Sequence, residues 1–183
     1  MRTLAKWTVG EYHELIEKGL LDHKKVELLN GELIEMAPES PMHRKTMRYG
    51  ETYLRNLCGD AAIIFAGHPI TLTDSEPEPD LAIICPPEET YDERHPNATD
   101  VLLLIEVSRT TLSYDIGKKK ETYAKENIQE YWVLDVSNKQ IYLFNNLENG
   151  DYQSQTIQQT GDISPTALPS IQISVEKLLG NYK

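Results

Sequence analysis

The chain has 183 residues, of which 39% are hydrophobic and 26% charged, with 29 acidic side chains against 18 Lys and Arg. This composition excludes a chain that is disordered throughout and is typical of a globular domain able to bury a core without disulfides or a structural metal. The longest apolar run, Val101 to Ile105, is far shorter than the ~20 residues that cross a bilayer, and early charges interrupt any signal peptide. We therefore expect a cytoplasmic protein without a membrane partner, folded as a single domain over residues 1–183.

The formal net charge of −11 opposes a broad, nonspecific attraction to nucleic-acid phosphates. The charge is nevertheless segregated along the chain. Eight acids and no Lys or Arg lie between Asp74 and Glu93, whereas residues 44–55 carry four basic side chains against one acid. Because a metal site must concentrate carboxylates, this distribution leaves a nucleic-acid partner possible despite the acidic sum.

Local patterns predict an alternation of helices and strands. Thr8 and Glu11 can form a capping box, and Asn30-Gly31 is the dipeptide that best accepts a two-residue hairpin turn. In chain order the predicted elements are a helix over 9–18, strands over 26–29 and 32–36, a helix over 42–57, strands over 61–65, 69–72, 79–85 and 101–107, a helix over 113–127, strands over 131–136 and 141–144, and a peripheral C-terminal strand and short helix within 145–183. The fold class is therefore α/β (α+β), a mixed β-sheet flanked by helices.

Residues 101–107 read VLLLIEV, which is typical of a strand buried on both faces, yet they include an acid, Glu106. Burying an unpaired carboxylate costs several kcal/mol, so Glu106 either lies beyond the core, pairs with a Lys or Arg, or binds a cation. Asp80 also lies at the end of a predicted strand. Adjacent strands would bring both carboxylates to one hard divalent cation, and Mg²⁺ needs only one or two carboxylates besides waters.

The predicted helix after Glu106 carries Asp115 and the lysines 118–120. Lys119 lies four residues after Asp115, on the same helix face, and a lysine beside a metal site can orient water or neutralise developing charge. Two plainer interpretations remain open: the lysine run is a solvated helix face, and Asp115 with Lys119 is only an i,i+4 ion pair. Tyr123 fits core packing better than base stacking because it lies in an apolar pattern.

The order Pro79-Asp80, Glu106-Val107-Ser108 and Asp115 to Lys119 resembles the PD-(D/E)xK nuclease superfamily. In the usual motif the lysine lies two residues after the second acid, and in this chain Ser108 occupies that position. The chain therefore resembles the variants of the superfamily in which the lysine has moved to the following helix.

A closer resemblance extends over residues 26–144, about two thirds of the chain. The blocks that carry it are VELLNGELIEMAP, Ser40-Pro41 followed by His43, EPDLAII, LLIEVS, YDIGKK and EYWVLD. Together they resemble the Uma-two family of restriction-endonuclease-like proteins. The resemblance implies a restriction-endonuclease-like core with an added N-terminal helix and β-hairpin, and an acidic site for Mg²⁺ or Mn²⁺.

The resemblance also implies residue roles. Asp80 and Glu106 are the implied metal ligands and catalytic acids, with the carbonyl of Val107 as a third ligand, and Lys119 is the implied catalytic lysine. Asp115 is an additional candidate.

Three further candidates come from the hairpin and the second helix. Superfamily nucleases often use an extra upstream acid, which makes Glu27 and Glu32 candidates, although an alternating hairpin also exposes acids to solvent. His43 could contact a phosphate or a metal-bound water, or form only a local hydrogen bond.

The leading functional hypothesis is a Mg²⁺-dependent endonuclease that hydrolyses phosphodiester bonds of nucleic acid, DNA in preference to RNA. Arg44, Lys45 and Arg48 are the predicted substrate-binding side chains. The alternatives are a catalytically inactive nuclease-fold module that binds DNA or a protein, and an interaction protein whose fold survives without chemistry. We expect a homodimer, because cutting both strands needs two sites and C₂ pairing is the commonest closure.

Overall fold

A six-stranded mixed sheet lies at the centre of the computed structural model, which describes residues 3–180. Its strands are β3 (Ile63–Ala66), β4 (Leu81–Ile84), β5 (Val101–Ser108), β6 (Tyr131–Asp135), β7 (Gln140–Glu148) and β8 (Asp151–Gln158), in that spatial order. Neighbouring strands are antiparallel except β5 and β6, which are parallel. A parallel pair requires a crossover connection, and the helical segment between β5 and β6 provides it.

The remaining elements surround this sheet. They are the helices α1 (Val9–Glu17), α2 (Pro41–Cys58), α3 (Leu112–Tyr114), α4 (Lys120–Lys125) and α5 (Val175–Leu178), the hairpin β1 (Val26–Leu29) and β2 (Glu32–Glu35), and the short pair β9 (Asp162–Ile163) and β10 (Ile173–Ser174). A π-helical turn, Asp115–Lys119, joins α3 to α4. The predicted fold class, a mixed sheet flanked by helices, is confirmed.

The local signals produce the elements that they predict. Thr8 accepts a hydrogen bond from the Glu11 amide, and the Glu11 carboxylate accepts one from the Thr8 amide, which completes the capping box. Asn30 and Gly31 have φ values of 51° and 72°, as the two-residue turn between β1 and β2 requires.

Side-chain alternation along β5 divides the interior into two cores. Leu103 and Ile105 pack with residues of α2 and α5 on one face, whereas Leu104 packs with residues of α4 on the other. Because helices cover both faces, β5 is buried along nearly its whole length, as its apolar sequence predicts. A polar side chain on this strand therefore has to find its partners inside the protein.

The predicted strand over residues 69–72 is wrong. The backbone amides of Ile70, Thr71 and Leu72 donate to carbonyl oxygens of Pro77, Pro96 and Ser75, all of them in loops. Ile70 and Leu72 are buried, so their hydrophobicity reflects packing of the loop against the sheet. An apolar run of four residues does not separate these two situations.

Two predicted segments contain more elements than expected. The π-helical turn interrupts the predicted helix over 113–127, and the residues after 145 form β9 and β10 in addition to the predicted strand and helix. Residues 1–2 and 181–183 of the predicted domain lie outside the described residues. Within 3–180, no helix has the length and hydropathy to cross a bilayer.

Candidate active site

A cleft of about 500 Å³ opens where β4 begins and β5 ends. The hairpin, the start of α2 and the segment that follows β5 form its walls. Most of the site residues predicted from the sequence line it: Glu27, His43, Asp80, Glu106, Val107, Asp115 and Lys119.

The pairing of β4 with β5 brings Asp80 next to Glu106. Leu81, the first residue of β4, is paired with Ile105 in this antiparallel ladder. Asp80, which directly precedes β4, therefore lies opposite Glu106, the residue after Ile105. Oδ2 of Asp80 accepts a hydrogen bond from the Val107 amide at 2.7 Å. The same oxygen is 2.9 Å from Nε2 of His43, at the start of α2. Two strand ends and a helix start therefore hold this carboxylate in place.

Lys119 extends into the cleft from the end of the π-helical turn, and it is 5% exposed. Its Nζ lies 2.9 Å from Oε1 of Glu106 and 3.5 Å from Oε2 of Glu27. The hydroxyl of Tyr123 donates to the same Oε1 of Glu106, also at 2.9 Å. Glu106 is thus buried with two donors, and Glu27 lies at the other side of the ammonium.

Burial acts on both members of this pair. Burial raises the pKa of Glu106 well above its usual value; Lys119 opposes the rise, and the nearby acids Asp80, Asp115 and Glu27 add to it. For Lys119, burial would lower the pKa, but Glu106 and Glu27 more than offset it and the pKa rises. Lys119 is therefore a charged ammonium in a cluster that contains more carboxylates than it can neutralise.

The π-helical turn separates the three consecutive lysines. Lys118 pairs with Glu32 and Lys120 with Asp151 at the surface, whereas Lys119 turns inward. Among residues 3–180, the ion-pair partners of Lys119 are Glu106 and Glu27, so the interpretation of Asp115 and Lys119 as an i,i+4 pair is wrong.

Asp115 is buried beside this cluster and has a local partner. Its Oδ2 accepts a hydrogen bond from the Thr111 hydroxyl at 2.6 Å. Burial raises the pKa of Asp115, which this hydrogen bond only partly opposes. Asp115 therefore adds a fourth acid to the inner wall.

The structure separates the two hairpin acids. Glu27 is 2% exposed and contributes to the cleft, whereas Glu32 lies outside it, in ion pairs with Lys6 and Lys118. Of the two candidate acids, Glu32 is therefore the one that the hairpin leaves accessible to solvent.

The predicted substrate-binding side chains also lie outside the cleft wall. Arg44 is exposed and pairs with Glu39, and Lys45 and Arg48 lie over the ring of Tyr49 at 5.9 and 4.7 Å from its centroid. They form the outer surface of α2, so the structure does not bring them to Asp80 or Glu106.

Sequence reasoning missed three residues of the cleft region. Tyr123 is a core residue, as predicted, but its hydroxyl also binds Glu106, and its position four residues after Lys119 was the available signal. Arg109 and Tyr114 line the cleft and follow no motif that would single them out.

The donor set suits a hard divalent cation that keeps several waters. Among residues 3–180, no group of three His, Cys, Asp or Glu side chains converges on one point. Asp80 and Glu106 each keep one carboxylate oxygen for a ligand: the hydrogen bonds described above engage Oδ2 of Asp80 and Oε1 of Glu106, and the second oxygen of each carboxylate accepts none from the described residues. Mg²⁺ binds through one or two carboxylates in this way, whereas a structural Zn²⁺ site uses four Cys or His ligands.

The fold is of a nuclease type. A similar solved structure is that of "a putative nuclease belonging to DUF820" from Anabaena variabilis, which matches with a TM-score of 0.70 over 86% of this chain and 91% of that chain at 15% identity. The chain belongs to the Uma2 (Uma-two) family, described as "Putative restriction endonuclease", whose model matches residues 9–176. The predicted family is thereby confirmed. No curated protein matches the chain.

Proposed function

We propose that this protein is a Mg²⁺- or Mn²⁺-dependent endonuclease that hydrolyses phosphodiester bonds of nucleic acid in the cytoplasm, with DNA as the preferred substrate. Membership of the family supports nuclease function in general. The observation that carries the proposal is the buried ammonium of Lys119, which lies between Glu106 and Glu27 in the same cleft as Asp80. A buried cation beside carboxylates with free oxygens suits phosphoryl chemistry better than it suits a surface for protein contacts.

The charge of the cleft supports dependence on a metal. Three acids at the outer wall, Glu35, Glu39 and Glu78, join the four inner ones, against Lys25, Arg109 and Lys119 as the Lys and Arg side chains of the described wall. An anionic phosphodiester would be repelled by this excess of carboxylates. A divalent cation bound first would reduce this excess and place a positive charge beside the phosphate.

Asp80 and Glu106 are the residues that would hold the ion, with the Val107 carbonyl as a third ligand. When bound, such an ion polarises the phosphate and lowers the pKa of a coordinated water. His43 and the Val107 amide fix the orientation of Asp80, and Tyr123 fixes that of Glu106. The chain thus supplies both the ligands and the groups that position them.

Lys119 would act as a cation rather than as a base. Because Glu106 and Glu27 keep its pKa high, it holds its proton at neutral pH. A fixed ammonium can donate a hydrogen bond to the attacking water or to the phosphate oxygens on which charge develops. Proton removal from the water would then fall to another group.

Metal titration of the wild type and Asp80→Asn tests the proposal most directly. We expect Mg²⁺ or Mn²⁺ to stabilise the wild type by about 2.7 kcal/mol at a hundred times the dissociation constant, since binding to the folded state adds to stability. Asp80→Asn should lose this gain, and the exposed Asp60→Asn should retain it. Cleavage of plasmid DNA and of an RNA of matched sequence would then be assayed with each metal.

The possible outcomes separate the functional hypotheses. Metal-dependent cleavage that Asp80→Asn abolishes supports the nuclease. Metal binding without cleavage of either nucleic acid favours a catalytically inactive binding module. Equal stability with and without metal in the wild type would contradict the metal site itself.

A homodimer is part of the proposal, since two sites are needed to cut both strands. Light scattering at micromolar concentration should give about twice the monomer mass of 20.9 kDa. A monomer mass over this range would contradict the dimer and would restrict the activity to one strand at a time.

A further inference from the structure

Two buried polar atoms in the cleft have no partner. Among residues 3–180, Nδ1 of His43 and the hydroxyl oxygen of Tyr114 are the buried side-chain polar atoms that form no hydrogen bond, and both residues line the same cleft. A buried polar group without a partner costs about 1–3 kcal/mol, and few occur in a folded protein. Their occurrence in one cleft indicates that a ligand provides the missing partners.

A free cation lies in the same wall. Of the described Lys and Arg side chains there, Lys25 pairs with Glu39 and Glu78, and Lys119 with Glu106 and Glu27. Arg109 forms no ion pair with any residue between 3 and 180. It is exposed in the loop after β5, five residues before Tyr114. A guanidinium offers several N–H donors in a planar fork, which matches the oxygens of a phosphate.

We propose that Arg109 and Tyr114, together with His43, form a phosphate-binding subsite that holds the nonbridging oxygens of the nucleic-acid substrate beside Asp80 and Glu106. This inference rests on the proposed function, which it deepens by assigning substrate binding to the cleft instead of to Arg44, Lys45 and Arg48 on the outer surface of α2.

The state of the tyrosine agrees with a donor role. Burial raises the pKa of Tyr114 to about 12, and the neighbouring carboxylate of Glu27 adds to the rise. The hydroxyl therefore keeps its proton at neutral pH and has a hydrogen bond to donate. An anionic oxygen is a stronger acceptor for it than a neutral one.

The subsite is tested by the binding of a fluorescent DNA oligonucleotide, measured by fluorescence anisotropy. The measurement uses Mg²⁺ with an Asp80→Glu background that is first shown to bind but not to cleave DNA, or Ca²⁺ with the wild type. Arg109→Gln should weaken binding on the order of tenfold, and Tyr114→Phe about three- to tenfold. Lys18→Gln removes one exposed charge directly after α1, and Tyr142→Phe removes a hydroxyl from β7. These matched controls should bind like the parent protein.

Thermal unfolding provides a second measurement, which does not depend on nucleic acid. Because the Tyr114 hydroxyl has no hydrogen-bond partner among residues 3–180, Tyr114→Phe should unfold at the same temperature as the wild type or a few degrees higher. A marked destabilisation would show that the hydroxyl has a structural partner, and it would overturn the role proposed for Tyr114.

Inorganic phosphate separates failure of the subsite from failure of the nuclease. If the wild type binds DNA and Arg109→Gln and Tyr114→Phe bind it equally well, the subsite is wrong while the nuclease proposal stands. If the wild type binds no nucleic acid, the nuclease proposal fails. NMR titration with inorganic phosphate then decides the subsite: shifts near Tyr114 that Arg109→Gln removes support it, and no shifts overturn it.

Discussion

The two ends of β5 each hold a carboxylate that is paired with a basic side chain, yet the two pairs differ in chemistry. At the start of the strand, Asp100 accepts hydrogen bonds from both terminal nitrogens of Arg94, at 2.7 and 3.2 Å, near the surface. At its end, Glu106 accepts a hydrogen bond from Lys119 inside the protein.

The pKa values of these acids move in opposite directions. The hydrogen bonds from Arg94 lower the pKa of Asp100, whereas burial raises that of Glu106. The surface pair keeps contact with solvent, so it forms at a small cost in free energy. The buried pair loses its solvation, and this destabilises the protein unless further groups compensate for it. The degree of burial, more than the identity of the two partners, separates a surface ion pair from a candidate reactive centre.

Loss of the buried cation should have the largest effect. Lys119→Ala would leave Glu106 and Glu27 buried without a counter-charge, which costs about 3–5 kcal/mol of stability. Metal-dependent cleavage should fall on the order of a hundredfold or more. Urea unfolding and single-turnover cleavage measure the two effects.

Variants of the same helical segment control for folding. Lys118→Ala and Lys120→Ala remove partly exposed partners of Glu32 and Asp151 and should remain close to the wild type in both measurements. Lys119→Arg keeps the charge and should fold, but it should not restore full activity, since a guanidinium does not occupy the space of a compact ammonium. Equal activity of the three alanine variants would contradict the role proposed for Lys119.

Removal of one buried hydroxyl should have an intermediate effect. Tyr123→Phe keeps the ring in the core but takes one donor from Glu106, which should cost about 1–2 kcal/mol. Tyr142→Phe, on β7, is a matched control for the loss of a hydroxyl outside the cleft. If Tyr123→Phe has wild-type stability and activity, Tyr123 does not position Glu106.

The surface pair should produce the smallest effect, visible mainly as a dependence on pH. Because the pKa of Asp100 is lowered in the folded state, its contribution to stability is present above the ordinary aspartate pKa of about 3.9 and is lost as the pH falls through the folded value. The difference in denaturation midpoint between the wild type and Asp100→Asn should therefore shrink between pH 6 and pH 3. If the difference in denaturation midpoint grows on acidification, the pKa of Asp100 is not lowered in the folded state.

The sequence predicts those elements whose signals are local. The capping box of Thr8 and Glu11 and the Asn30-Gly31 turn involve neighbours in the chain, and the apolar run of β5 is long enough to identify a buried strand. The prediction of a strand over residues 69–72 was wrong because a short apolar run has the same pattern in a packed loop as in a strand.

The residues of the candidate site also differ in whether the sequence alone identifies them. Asp80, Glu106 and Lys119 could be singled out because a charge at the end of an apolar strand, or within a recognisable block order, is conspicuous in the sequence. The choice between Glu27 and Glu32 could not be made, since both lie in one hairpin and only packing against the cleft distinguishes them. The free side chains of Arg109 and Tyr114 gave no sequence signal either.

The sequence by itself therefore determined most of the elements, the family and which acids and lysine to suspect, because these depend on local periodicity and on residue identity. Only the tertiary structure decided which charges are buried together. The pairing of β4 with β5 sets Asp80 opposite Glu106, and the π-helical turn directs Lys119 inward while its two neighbours stay at the surface. Burial and distance set the strength of an electrostatic interaction, and both arise from contacts between residues far apart in the chain.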